Sequence, residues 1–125
     1  MSVENTIVQF AAAWNQHDAD ALAALWTEDG ELDHPWGFHA VGRDAVRKLL
    51  AEEHAASMSE SVLRIAGVTS RAEEQNVLAE IDGLLEGVRA PNGRPYELRH
   101  KMSVMFVPAG DTWRIRTMAA TSNPR

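Results

Sequence analysis

The chain has 125 residues, a formal net charge of −6 and no cysteine. That length suits one domain, residues 1–125, built around a single core; the missing thiols exclude disulfides and sulfur-ligated metals, and the acidic balance, with basic residues scattered among acids, argues against a nucleic-acid partner. No stretch approaches the ~18 apolar residues of a membrane span, and M-S-V-E-N-T-I-V lacks the basic start and apolar run of a secretory signal, so a cytoplasmic protein without membrane contact is expected.

Val3, Ile7, Phe10, Ala11 and Trp14 recur on one face of a helix. Asp18 then suits an N-cap, and the Ala- and Leu-rich run to Trp26 reads as a second, short helix, broken by Thr27-Glu28-Asp29-Gly30. Gly42-Arg43-Asp44 precedes a third helical pattern with Val46, Leu49 and Leu50, ending near His54 or Ala56. From Ser61 the period changes, with strand-forming runs at Val62 to Ser70, Val77 to Val88, Tyr96 to Val107 and Thr112 to Ser122. Polar or Pro/Gly-rich turns separate them, at 71–76, 90–95 and 108–111. Gly83 and Gly87, inside one of these runs, mark a bulge or bend. The order predicts an α+β fold: a curved antiparallel sheet with three N-terminal helices on its concave face and a small-molecule cavity between them.

This order, together with W-N-Q-H-D-A-D-A-L-A-A-L-W-T-E-D-G at 14 to 30, resembles the nuclear transport factor two-like superfamily of cone-shaped domains, with its SnoaL-like and ketosteroid isomerase-like members. G-R-D-A-V at 42 to 46, His54, T-W-R-I at 112 to 115 and Asn123 are similar to the SgcJ/EcaC branch. The superfamily contains isomerases, cyclases, dehydratases and epoxide hydrolases beside members that only bind or assemble, so the fold alone does not select a reaction. L-D-H-P-W-G at 32 to 37 resembles the isomerase segment that carries a catalytic carboxylate before a proline, and His34 takes the carboxylate's place. The same resemblance puts Phe10 where the isomerases hold a tyrosine donor, and puts Ser103 near the place of their aspartate, so both oxyanion donors are missing.

Histidine takes and returns a proton near neutral pH without a large pKa shift, which makes His34 the expected general base. Asp33 beside it points to the opposite face of a regular strand. His39 and Trp36 follow near the expected pocket mouth, and His54 and His100 are far away in sequence. Trp14, Trp26, Met102, Met105 and Met118 suit the walls of an adaptable apolar cavity. On the strand 96–107, Leu98, His100, Met102, Val104 and Phe106 form the cleaner apolar face, whereas the isomerase resemblance turns Ser103 and Met105 inward. Arg99, Arg114 and Arg116 are candidate cations for an anionic or carbonyl-bearing ligand. No His pair has the H-x-x-x-H spacing that fixes two metal ligands on one helix, so neither metal nor cofactor is expected. These features together predict a cofactor-free isomerase, cyclase or dehydratase acting on a small apolar carbonyl compound; the alternative is a non-catalytic hydrophobic-ligand-binding or assembly domain. A homodimer is expected because the second face of a curved sheet needs cover.

Overall fold

In the computed structural model, which describes residues 2–34 and 37–124, the first apolar stripe is helix α1 (Val3–Asn15), burying Val3, Ile7, Phe10, Ala13 and Trp14. The helix ends in a double hydrogen bond, from His17 N–H to the Trp14 carbonyl (2.9 Å) and from Asp18 N–H to the Ala13 carbonyl (3.1 Å). His17 takes the left-handed conformation there, with φ of 55°, at a position glycine usually fills. Asp18 caps α2 (Ala19–Ala23) by accepting from the Ala21 N–H at 3.0 Å. This helix stops at Ala23 and does not reach Trp26, because the Leu25 carbonyl accepts from Ile115 N–H (2.8 Å) and Trp26 enters the sheet.

Thr27 to Gly30, which reads as a helix breaker, lies inside strand β1 (Trp26–Asp33). The pairing of β1 shifts register between Trp26 and Glu31, where the fully buried Trp26 ring donates to the Glu31 carbonyl at 3.1 Å. A Cβ on Gly30 would come within 2.6 Å of that indole, so the bulge needs glycine. Then come β2 (His39–Val41), α3 (Arg43–His54), β3 (Val62–Glu73), β4 (Asn76–Arg89), β5 (Pro95–Ala109) and β6 (Thr112–Pro124). Val46, Leu50 and His54, four residues apart, form the buried stripe of α3.

The α+β class stands. The sheet order is β2-β1-β6-β5-β4-β3, and β1 runs parallel to β6 while every other pairing is antiparallel, so the sheet is mixed where a purely antiparallel one is expected. No hairpin joins β1 to β6, so nothing in the connection forces them antiparallel. The interior face carries Leu63, Ile81, Leu85, Leu98, Met102, Phe106, Ile115 and Met118, packed against α1 and α3 in one core. Complete burial of a side chain such as Leu85 or Phe106 stabilises the fold by roughly 1.5–3 kcal/mol.

Register shifts bend β3 at Ile65/Gly67 and β4 at Leu85/Val88. Gly87, inside the second shift, has φ of 76° and sits so close to the Glu60 carbonyl oxygen that a Cβ would lie 2.7 Å from it. Gly93 has φ of 84° with nothing within 4 Å of the corresponding point. Urea unfolding should therefore separate the two: Gly93→Ala costs about 1 kcal/mol for backbone strain alone, and Gly87→Ala roughly 2–4 kcal/mol because a backbone clash adds to it.

Candidate functional site

Alternation along β1 decides which side chains enter the core. Leu32 faces in, Asp33 faces out, and His34, just past the strand, faces in again and is buried. A tight return holds it, with His34 N–H donating to the Phe38 carbonyl (2.7 Å) and Gly37 N–H to the His34 carbonyl (3.0 Å). The His34 Nε2 lies 2.6 Å from Oε2 of Glu53, and both side chains are largely buried. Glu53 comes from the last turn of α3, beside the core-facing His54.

Around this pair the interior turns polar. His100 on β5 is buried and stands 6.3 Å from the Trp14 ring. His54 meets Trp14 edge-on at 4.4 Å, and the Trp14 indole N–H donates to Ser61 Oγ at 2.9 Å. His54 Nδ1 lies 2.8 Å from Nδ1 of His17. Burial first, and the neighbouring His34 second, push the His100 pKa down to about 4; burial and then His17 do the same to His54. Both rings are therefore neutral at pH 7.

The structure divides the sequence-nominated residues between two faces. Trp14, Trp26, His34, His100, Met102 and Met118 are in the interior, although Trp14 and Trp26 spend their N–H groups on protein oxygens. Ser103 and Met105 face the opposite side of the sheet, against the inward orientation that the isomerase resemblance implies; β5 has no bulge before Met105 to swap its faces, and Ser103 donates to Glu80. Arg99 and Arg116 are on that outer side too, Arg116 reaching Glu31 at 3.3 Å and Asp29 at 3.6 Å. His39 is likewise not at an interior pocket mouth: it is exposed on the outer side, held between Asp33 and Glu31 (3.0 Å to the latter), and these carboxylates raise its pKa. Trp36 lies outside the described residues. Glu53 and His17 escape the sequence reading; the one signal for Glu53 is its spacing, four residues after Leu49 and three after Leu50.

Between α1 and the sheet, Ile7, Phe10, Met102, Phe106 and Met118 leave a void of only about 10 Å³. A groove of about 660 Å³ crosses the outer face instead, over Leu78, Met105, Thr117 and Ala119, with Glu31, Asp33, Glu80 and Arg71 around it. Among the described residues no three His, Asp or Glu side chains converge to hold a metal ion, and no helix is long and apolar enough to cross a membrane. A buried imidazole hydrogen-bonded to a carboxylate, in a wall of neutral side chains, is equipped to move a proton.

The chain belongs to the SnoaL-like domain family, whose sequence pattern matches residues 7–117. The fold is shared with an uncharacterised protein of cystatin-like fold from Caulobacter vibrioides (18% identity, TM-score 0.86, covering 97% of this chain and 87% of that one). It is shared equally with LinA (15%, TM-score 0.86, 98% and 86%). A protein from Novosphingobium aromaticivorans described as a candidate scytalone dehydratase is also similar (18%, TM-score 0.81, 97% and 81%). No curated protein matches the chain in sequence.

The histidines make stability depend on pH in two directions. His54 and His100 have depressed pKa values in the folded state, so their contribution is present above pH ~6.5 and is lost as pH falls toward 4, when the unfolded chain takes up protons the core refuses. His39 has a raised value, so its contribution is full below pH ~6.5 and disappears as pH climbs through that raised value. Urea titrations across pH 4 to 9 should give a maximum near pH 6.5, with an acid-side loss on the order of 3 kcal/mol, most of it from the more enclosed His100. A His100→Leu variant should flatten the acid limb and leave the alkaline one in place.

Proposed function

We propose that the protein is a cofactor-independent acid–base enzyme acting on a small, apolar, carbonyl-bearing molecule at the polar end of its interior. The observation that carries this reading is the 2.6 Å contact of His34 with Glu53 inside the core. With Glu53 accepting the Nε2 proton, the His34 lone pair is on Nδ1, and the carboxylate stabilises the imidazolium formed when that lone pair takes a proton. His34 is the general base and Glu53 its positioning partner; Trp14, His100, Met102 and Met118 are the surrounding wall. Abstraction of a proton next to a carbonyl fits isomerisation, cyclisation or dehydration, and the dehydratase description of one fold neighbour supports keeping the last in view.

A second reading, a domain that binds a hydrophobic molecule or assembles without catalysis, is favoured by the filled space between α1 and the sheet. The place of the tyrosine donor is Phe10, and the β5 side chains that face inward around Ser103 are Met102 and Val104, so an enolate oxygen gains no acidic donor from these positions. Exchange of ketone α-protons in D₂O, followed by proton NMR on 2-tetralone and cyclohex-2-enone, separates the two readings. The wild type should exceed buffer, and His34→Gln should lose about 100-fold while its Tm stays within a few degrees, since the Gln amide still donates to Glu53. Exchange no faster than buffer with both ketones, and unchanged by His34→Gln, favours the binding domain.

The same proposal places the protein in the cytoplasm as a homodimer joined through the outer sheet face, where Leu78 and Met105 line the groove. Light scattering at micromolar concentration should give twice the chain mass, and the pair Leu78→Glu with Met105→Glu should give a monomer. A wild-type monomer at every concentration removes the dimer.

A further inference from the structure

His54 has no part in the chemistry above, yet its ring is built into the core. It follows Val46 and Leu50 on the buried stripe of α3 and is 8% exposed. Its Nδ1 is engaged with His17 Nδ1 at 2.8 Å, and its Nε2 is buried without a hydrogen-bond partner among the described residues. The two nitrogens of an imidazole project from opposite sides of Cε1. Nδ1 faces the half-buried His17, and the ring meets Trp14 edge-on at 4.4 Å, Trp14 being also within 6.3 Å of the His100 ring. Buried polar atoms nearly always find a partner, so an orphan there marks a place for one.

The pairing of Nδ1 with Nδ1 governs what Nε2 offers. Two neutral rings meeting this way share one proton. When His17 donates it, His54 carries its own proton on Nε2; when His54 donates it, Nε2 presents a lone pair. His17 occupies the left-handed residue after α1, where glycine would be unstrained, so its side chain is held there at a backbone cost. Arg99 and Arg116 project from the other face of the sheet, and among the described residues the His54 ring meets His17 and Trp14, neither of them an arginine or lysine that could hold an anion.

We infer that His54 Nε2 is the contact for the oxygen atom of a small neutral ligand in the interior, and that His17 sets through the shared proton whether this contact donates or accepts. A hydroxyl satisfies either state and a carbonyl the first, whereas a carboxylate or phosphate is disfavoured. The inference rests on the interior-site reading above and adds to it the group that reads the ligand's oxygen. His54 touches the ligand; His17 acts through it as a positioning residue.

The test compares 4-ethylphenol with ethylbenzene, the same carbon skeleton without oxygen, by calorimetry and by ¹⁵N NMR of the histidine rings. The phenol should bind the wild type about tenfold more tightly than ethylbenzene and should move the His54 Nε2 resonance. His54→Phe should remove that preference and leave ethylbenzene affinity within about twofold. His17→Phe should shift the His54 Nε2 resonance of the free protein and shrink the preference without weakening ethylbenzene. Equal affinities in the wild type, a preference that survives His54→Phe, or an Nε2 resonance indifferent to the phenol, as when only a buried water sits there, overturns the contact while leaving the interior site intact. Failure of both probes to bind at their solubility limit overturns the interior site and this inference together. The wild-type resonance decides the matter even if His54→Phe fails to fold.

Discussion

The last turn of α1 is tied to the sheet through side chains, and the polar end of the core depends on that tie. Asn15 accepts from the Leu63 N–H at 2.7 Å and donates to the Leu63 carbonyl at 3.1 Å. It thereby supplies both hydrogen bonds that an edge strand leaves unmet, in the way a neighbouring strand would. Trp14 beside it donates to Ser61 Oγ, which in turn donates to the Met58 carbonyl at 2.8 Å. The helix is thus registered by two polar bonds against a strand 48 residues away, and by a third against the residue that precedes that strand, all tolerating little displacement. Trp14 is the surface on which both His54 and His100 rest, and His17 is two residues beyond Asn15. A slip of α1 by half a turn would unmake the clamp, the indole wall and the imidazole pair together.

The sheet separates two electrostatic regimes by alternation alone. Its outer face carries compensated surface charges, Arg64 with Glu86, Lys101 with Asp82 and Arg116 with Glu31 and Asp29, each contributing little in water. Its inner face holds His100, whose charged form is disfavoured by burial. His39 and His100 are the same residue type on one sheet, shifted in opposite directions because one meets carboxylates at the surface and the other faces the core. A register change of one residue would exchange these roles, so the hydrophobic pattern that fixes the faces also fixes which histidines stay neutral.

Strong periodicity made most of this architecture legible. The stripe of α1, the third helix and the four long strands emerge near their observed bounds, and Leu98, His100, Met102, Val104 and Phe106 take the face their apolar character demands. Legibility failed where long-range pairing overrides local preference: Trp26 looks helical among alanines and leucines, and only β6 draws it into a strand. For Ser103 and Met105 the strand's own alternation and the resemblance point to opposite faces, and the structure follows the alternation. Glu53 could not be singled out because a glutamate near a helix end ordinarily faces water, and its meeting with His34 spans 19 residues and two elements. His17 gave no signal either, since a left-handed histidine is invisible without the backbone.

The parallel partnership of β1 and β6 also constrains the order in which the molecule assembles. During synthesis β1 emerges early, but its long neighbour is the last strand, and β2 is only a three-residue edge. The hairpins of β3 to β6 close locally and supply low-order contacts, whereas docking β1 joins segments about 85 residues apart and carries a large loop-closure entropy. Until that step, Trp26 and Leu32 have no sheet to cover them. Ribosome-bound chains lacking β6 therefore expose an apolar N-terminal half, the kind of surface that chaperones hold, and the fold becomes whole only when its final strand slides between β1 and β5.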